Sequence, residues 1–104
     1  MSVLTRLAAT IAARRGDDPQ TSYTAALLAR GTDHCARKFG EEAVETIIAG
    51  TQTDKDALCR EAADTLYHLL VLLAAHDLSL SDVTEILANR EGISGHVEKA
   101  GRSS

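Results

Sequence analysis

The sequence predicts an all-α protein: a compact bundle of about five helices around a central antiparallel helical hairpin, assembled as an oligomer. Three observations predict it. Ala and Leu dominate the 104 residues, aromatic content is 3%, Trp is absent and there is a single Pro; that composition favours helix over sheet. Apolar residues recur at helical spacing in segment after segment. The fourth of these segments is apolar all round its axis, and a monomer of this size rarely covers such a helix alone.

The elements follow in order. Leu4, Leu7, Ala8 and Ile11 give the first helix its apolar face within residues 3–14. GDDPQT, residues 16–21, is a turn holding the only Pro. Ser22 is placed to cap a second, short helix that Gly31 ends. A third helix starts at Thr32 or Asp33 and runs to about Ala49. Ala36, Phe39, Ala43, Ile47 and Ile48 form one apolar stripe on it, with Lys38, Glu41, Glu42 and Glu45 opposite. Asp54 is placed to cap the fourth helix, which runs to about His76. Ser81 is expected to cap a fifth, ending near Asn89 or Arg90. After Gly92 the sequence GISGHVEKAGRSS has no periodic apolar face. Residues 1–91 therefore read as one domain and residues 92–104 as a flexible tail.

Charge and composition exclude several classes. The net charge is −4, which argues against a nucleic-acid polymer as partner. It does not argue against a single nucleotide, because a bound cation reverses the local sign. No apolar run approaches the ~18 residues of a membrane span. Cys35 and Cys59 lie in helical patterns without metal-ligand spacing, and read as reduced thiols of a cytoplasmic protein, a disulfide being the rival. Arg6, Arg14 and Arg15 give the first helix a basic face. That face resembles a transit peptide only slightly, since the stretch is short and poor in Ser.

The chemistry is concentrated in two acidic motifs. GEEAVETIIAG brings Glu41, Glu42 and Glu45 together, and EAAD repeats the device with Glu61 and Asp64. Residues three apart share a helix face, so each motif aims a carboxylate pair in one direction. The pairs lie symmetrically about Thr53 in the turn-like GTQTD. A hairpin folded there sets them at one level across a gap of about 8–10 Å. Taken alone, the acidic side of the third helix is more simply a solvated face. The fourth helix shifts the balance: Asp64 is its only formally charged side chain from Ala62 to Ala75. Glu61, Asp64 and His68 thus form a polar stripe in apolar surroundings, where charges are paired or bind metal. Oxygen-only ligands suit Mg²⁺, with Mn²⁺ as the alternative. A structural ion-pair network is the rival.

These residues resemble the all-α nucleoside triphosphate pyrophosphohydrolases, the MazG-like superfamily. Its mark is E-x-x-E followed by E-x-x-D on the next helix, here Glu42-Ala43-Val44-Glu45 and Glu61-Ala62-Ala63-Asp64. SYTAALLARGTD, ARKFGEEAVETIIAG and EAADTLYHLLVLLAAHDLSLSDV are, within it, similar to the phosphoribosyl-ATP pyrophosphatase family of histidine biosynthesis, over about Ser22 to Arg90. Phe39 stands where that family commonly has a smaller apolar residue. The resemblance implies Mg²⁺-dependent hydrolysis of the α–β phosphoanhydride of phosphoribosyl-ATP, giving phosphoribosyl-AMP and pyrophosphate. It implies metal ligation by Glu42, Glu45, Glu61 and Asp64, with Glu41 assisting.

The residues allow further roles. Glu41 or Glu45 can accept the proton of attacking water. Lys38 is a phosphate contact, or alternatively an ion-pair partner of Glu42; Arg37 is expected to pair with Glu41. Arg60 and Arg30 are weaker phosphate candidates. His68 either joins the site edge or, as preferred here, hydrogen-bonds Asp64. Tyr23 is a candidate at the site edge. Partners expected are a small nucleotide and further copies of the chain, as a homodimer or higher homo-oligomer, with no membrane. Three rivals compete. A broad nucleotide-pool pyrophosphohydrolase would share the metal site. A redox di-metal bundle would need Glu-x-x-His pairs, and none occurs. A non-enzymatic helical oligomerisation module would show no Mg²⁺ response.

Overall fold

The computed structural model describes residues 2–91, and contains five helices and no strand among them. The tail expected over 92–104 lies outside the described residues. The helices are α1 (Val3–Ala13), α2 (Tyr23–Ala29), α3 (Thr32–Gly50), α4 (Lys55–Ala75) and α5 (Leu80–Asn89).

Local chemistry sets most of the boundaries. Ser22 Oγ accepts the Ala25 N–H and Asp54 Oδ1 accepts the Ala57 N–H, both at 3.1 Å, satisfying first-turn donors of α2 and α4. The cap of α5 is Ser79, not Ser81. Ser79 and Asp82 exchange side-chain and backbone hydrogen bonds in a capping box, which satisfies two donors where Ser81 would satisfy one. α3 starts at Thr32, the first of the two expected starts. Gly31 holds the N-cap position with φ 93° and no side-chain bond. That left-handed conformation, natural to glycine, reverses the chain between α2 and α3 without a loop.

α3 and α4 form the antiparallel hairpin, joined by residues 51–54, and α1 and α2 pack on α4. The core is Ile11 from α1, Leu27 from α2, Cys35 from α3, and Leu70 and Val71 from α4. Each large aliphatic chain buried there contributes about 1.5–3 kcal/mol. Cys35 donates its thiol to the Leu27 carbonyl at 3.3 Å; Cys59 is exposed, and both cysteines are free. Among the described residues no helix is long and apolar enough to cross a membrane.

One expectation about faces is corrected. The inward face of α3 is not the Ala36–Ile48 stripe. Cys35 and Ala49 are buried, whereas Ile47 and Ile48 are 66% and 53% exposed. α3 is rotated so that Glu42 and Thr46 meet α4, because hydroxyls there find partners across the gap. The protomer leaves α4 uncovered on one side, as expected of a helix apolar all round: His68, Leu70 and Val71 are buried, but Leu66 stays exposed. Val44, Ile47, Ile48 and Leu66 therefore leave apolar surface on the hairpin without a partner among the described residues.

Candidate active site

The hairpin carries its own registration device. Thr46 Oγ1 and Thr65 Oγ1 lie 2.6 Å apart, and each reaches the Glu42 carbonyl, at 3.1 and 3.0 Å. Three oxygens thus share two hydroxyl protons between α3 and α4. Thr65 follows Asp64 directly, and Glu42 supplies the carbonyl. The lock therefore holds the two acidic motifs level. These threonines escaped sequence reasoning, since Thr mid-helix ordinarily bonds back to its own helix.

At that level Glu42, Glu61 and Asp64 converge. Each offers a carboxylate oxygen within 4.8 Å of the others; Glu42 and Glu61 are half-buried and Asp64 is exposed. Burial pushes the Glu61 carboxyl above its ordinary value, and the charges of Glu45, Asp64 and Glu42 push it the same way against a lowering by Arg60. A cation among these carboxylates would relieve the repulsion. Three oxygen donors within 4.8 Å of one another, two of them partly withdrawn from water, are a set that could hold a hard cation. Glu45 lies outside that three-residue set, exposed, yet close enough to act on Glu61.

The remaining site candidates are distributed around this cluster. Lys38 Nζ donates to Glu41 Oε2 at 3.2 Å. The Glu41 partner is therefore Lys38 one turn back, not Arg37, and Lys38 does not pair with Glu42. Arg60 is exposed and acts on Glu61. Tyr23 is 60% exposed and stacks on Tyr67 with centroids 6.4 Å apart. Thr24 and Tyr67 share a hydroxyl hydrogen bond at 2.5 Å.

His68 does not make the expected bond to Asp64. Its side chain is buried, Nδ1 has no hydrogen-bond partner, and the ring sits edge-on to Tyr67 at 5.0 Å. It also meets Tyr23 of α2 edge-on, with centroids 6.4 Å apart. Burial lowers its pKa, as does Lys38, while Glu42, Asp64 and Glu41 raise it.

One residue unremarked in the sequence joins the site region. His34 lines a groove of about 270 Å³ with Tyr23, Ala26, Leu27, Arg30 and Lys38. The signal for it was the spacing Arg30, His34, Lys38, a basic row repeating every four residues.

Comparison with known proteins bears on this arrangement directly. A family model described as phosphoribosyl-ATP pyrophosphohydrolase matches residues 4–91. The chain belongs to that family. A phosphoribosyl-ATP pyrophosphatase of Cereibacter sphaeroides (strain KD131 / KCTC 12085) is 61% identical over 102 residues, covering 98% of this chain and 99% of the relative. One of the same name from Dinoroseobacter shibae is 62% identical, covering 98% and 100%. Another from Paracoccus denitrificans (strain Pd 1222) is 64% identical over 99 residues, covering 95% and 92%. In a chain of this family, the three converging carboxylates lie on α3 and α4, and the basic groove is lined from α2, the residue that follows it and the first half of α3.

Proposed function

We propose that this protein hydrolyses the α–β phosphoanhydride of phosphoribosyl-ATP, releasing phosphoribosyl-AMP and pyrophosphate, as a cytoplasmic step of histidine biosynthesis. The observation that carries the reading is the convergence of Glu42, Glu61 and Asp64 in a chain of this family.

Glu42, Glu61 and Asp64 would hold Mg²⁺, with Glu45 as the fourth carboxylate and Mn²⁺ as the alternative ion. When bound, the cation neutralises phosphate oxygens and lowers the pKa of water. The protein's own part is positioning and proton handling, which dominate phosphoryl-transfer catalysis. Lys38 and Glu41 form an exposed pair one turn apart, of a kind easily exchanged. A phosphate oxygen arriving at Lys38 frees Glu41, which then has an open carboxylate to accept a proton from the attacking water. Glu45 is the other candidate acceptor. Water attacks one phosphorus of the anhydride, the P–O–P bridge breaks, and the bridging oxygen leaves on the other product.

The assembly we infer is a homodimer or higher homo-oligomer. Val44, Ile47, Ile48 and Leu66 are the support, as large apolar chains exposed on the hairpin.

The test is a substrate panel of phosphoribosyl-ATP, ATP, dCTP and dUTP, with and without Mg²⁺, assayed for pyrophosphate. Preference for phosphoribosyl-ATP by several orders of magnitude is expected, with no activity in excess chelator. Comparable turnover of ordinary triphosphates would transfer the assignment to a nucleotide-pool enzyme.

A further inference from the structure

The groove between α2 and the start of α3 shares only Lys38 with the carboxylate chemistry proposed above. Its polar lining is basic: Arg30, His34 and Lys38, beside Tyr23, with no acidic side chain among the lining residues. Only Lys38 of these three has a carboxylate partner among the described residues. α3 starts here with no side-chain cap, so its first-turn N–H groups add partial positive charge at the same end. His34 lies eight residues before Glu42, about 12 Å along the helix axis. Lys38 stands between them.

Phosphoribosyl-ATP has two phosphorylated ends separated by adenosine, so it calls for two anion sites rather than one broad one. The carboxylate cluster with its cation serves the triphosphate. We infer that the groove binds the phosphate on the added ribose, with Arg30 and His34 as the residues that set specificity for it. The inference rests on the phosphoribosyl-ATP reading above. Arg60 is the poorer choice, because it acts on Glu61 at the other end. Tyr23 offers an exposed ring beside the groove for the sugar to pack on.

The electrostatics give the site a pH signature. Desolvation lowers the His34 pKa, as do the charges of Arg30, Arg37 and Lys38, while Glu41 raises it. A phosphate monoester carries about −1.5 to −2 charges at neutral pH. Its arrival outweighs Glu41 as counter-charge and favours imidazolium, so binding takes up a proton.

The experiment measures kcat/KM for wild type, Arg30→Gln, His34→Gln and the double variant. Each is given phosphoribosyl-ATP and the same nucleotide lacking the ribose phosphate. Wild type should prefer the phosphorylated substrate. Each single substitution should cut that preference about tenfold, mainly through KM, the loss typical of a charged hydrogen bond. The double variant should nearly abolish it, and Arg30→Lys should restore part. His34→Gln should also flatten the rise of KM that accompanies loss of the imidazolium proton as pH increases. Circular dichroism controls for folding; Arg30 is exposed, so its variants remain informative should His34→Gln disturb the start of α3. Equal loss on both substrates, or no change in the preference, overturns the inference. A wild type inactive on phosphoribosyl-ATP instead overturns the parent reading, and this one with it.

Discussion

Asp64→Asn in the carboxylate cluster is the most informative single perturbation. It keeps side-chain volume and removes one of three anions whose oxygens lie within 4.8 Å. Suppose Mg²⁺ is supplied at ten times the wild-type Kd. A ligand that binds only the folded state then adds RT ln 11, about 1.4 kcal/mol. At about 4–8 °C per kcal/mol for a chain of this size, the wild-type Tm rises by about 6–11 °C. If Asn weakens binding tenfold, the same Mg²⁺ adds RT ln 2, about 0.4 kcal/mol and only about 2–3 °C. Without Mg²⁺ the order reverses: Asp64→Asn should melt at or above wild type, because Asp64 is among the charges raising the Glu61 carboxyl. The assay is a thermal melt with a Mg²⁺ titration, run beside Glu85→Gln in α5, which should keep the full shift. Pyrophosphate release should fall strongly in Asp64→Asn while helical circular dichroism is retained. An Asp64→Asn shift equal to wild type, or no shift in either, would refute a metal site built on these carboxylates.

Glu61 makes metal-free stability pH-dependent. Its folded pKa is raised, so its contribution is most favourable below the ordinary glutamate value and is lost as pH rises through the raised one; Glu61→Gln should remove that slope from chelator-treated melts. His68 works in the opposite sense. Its folded pKa is lowered, so stability is lost as pH falls from the ordinary histidine value. His68→Phe should flatten acid melts and, by removing the unpaired Nδ1, stabilise by about 1–3 kcal/mol at neutral pH; a destabilised variant would show that Nδ1 has a necessary partner. Leu70→Asp should unfold the protomer, since Leu70 is 5% exposed in the core. Ile47→Asp should leave it folded but dissociated, and light scattering showing a wild-type monomer at micromolar concentration would remove the oligomer inference. Thr65→Val should cost about 0.5–1.5 kcal/mol and lower kcat with helicity intact; unchanged kcat would show that the threonine lock does not register the site.

Much of this molecule was legible in its residues. Five helices, the Ser22 and Asp54 caps, the hairpin turn and the two carboxylate pairs all rest on patterns of period three to four or on single capping side chains. Those are local rules, and a sequence states them directly. Tertiary structure alone decided which face of each helix turns inward. α3 has two surfaces able to face a neighbour, and periodicity ranks Ile47 and Ile48 as the core. The threonine contacts to the Glu42 carbonyl instead turn the polar side toward α4. That rotation brings Glu42 to Glu61 and Asp64 and leaves Glu45 outside the set. His68 likewise reads as a neighbour of Asp64 by spacing, yet packs against Tyr67 because α2 supplies an aromatic wall on that side. The residues at each level of a helix follow from the chain; their direction follows from what the other helices offer them.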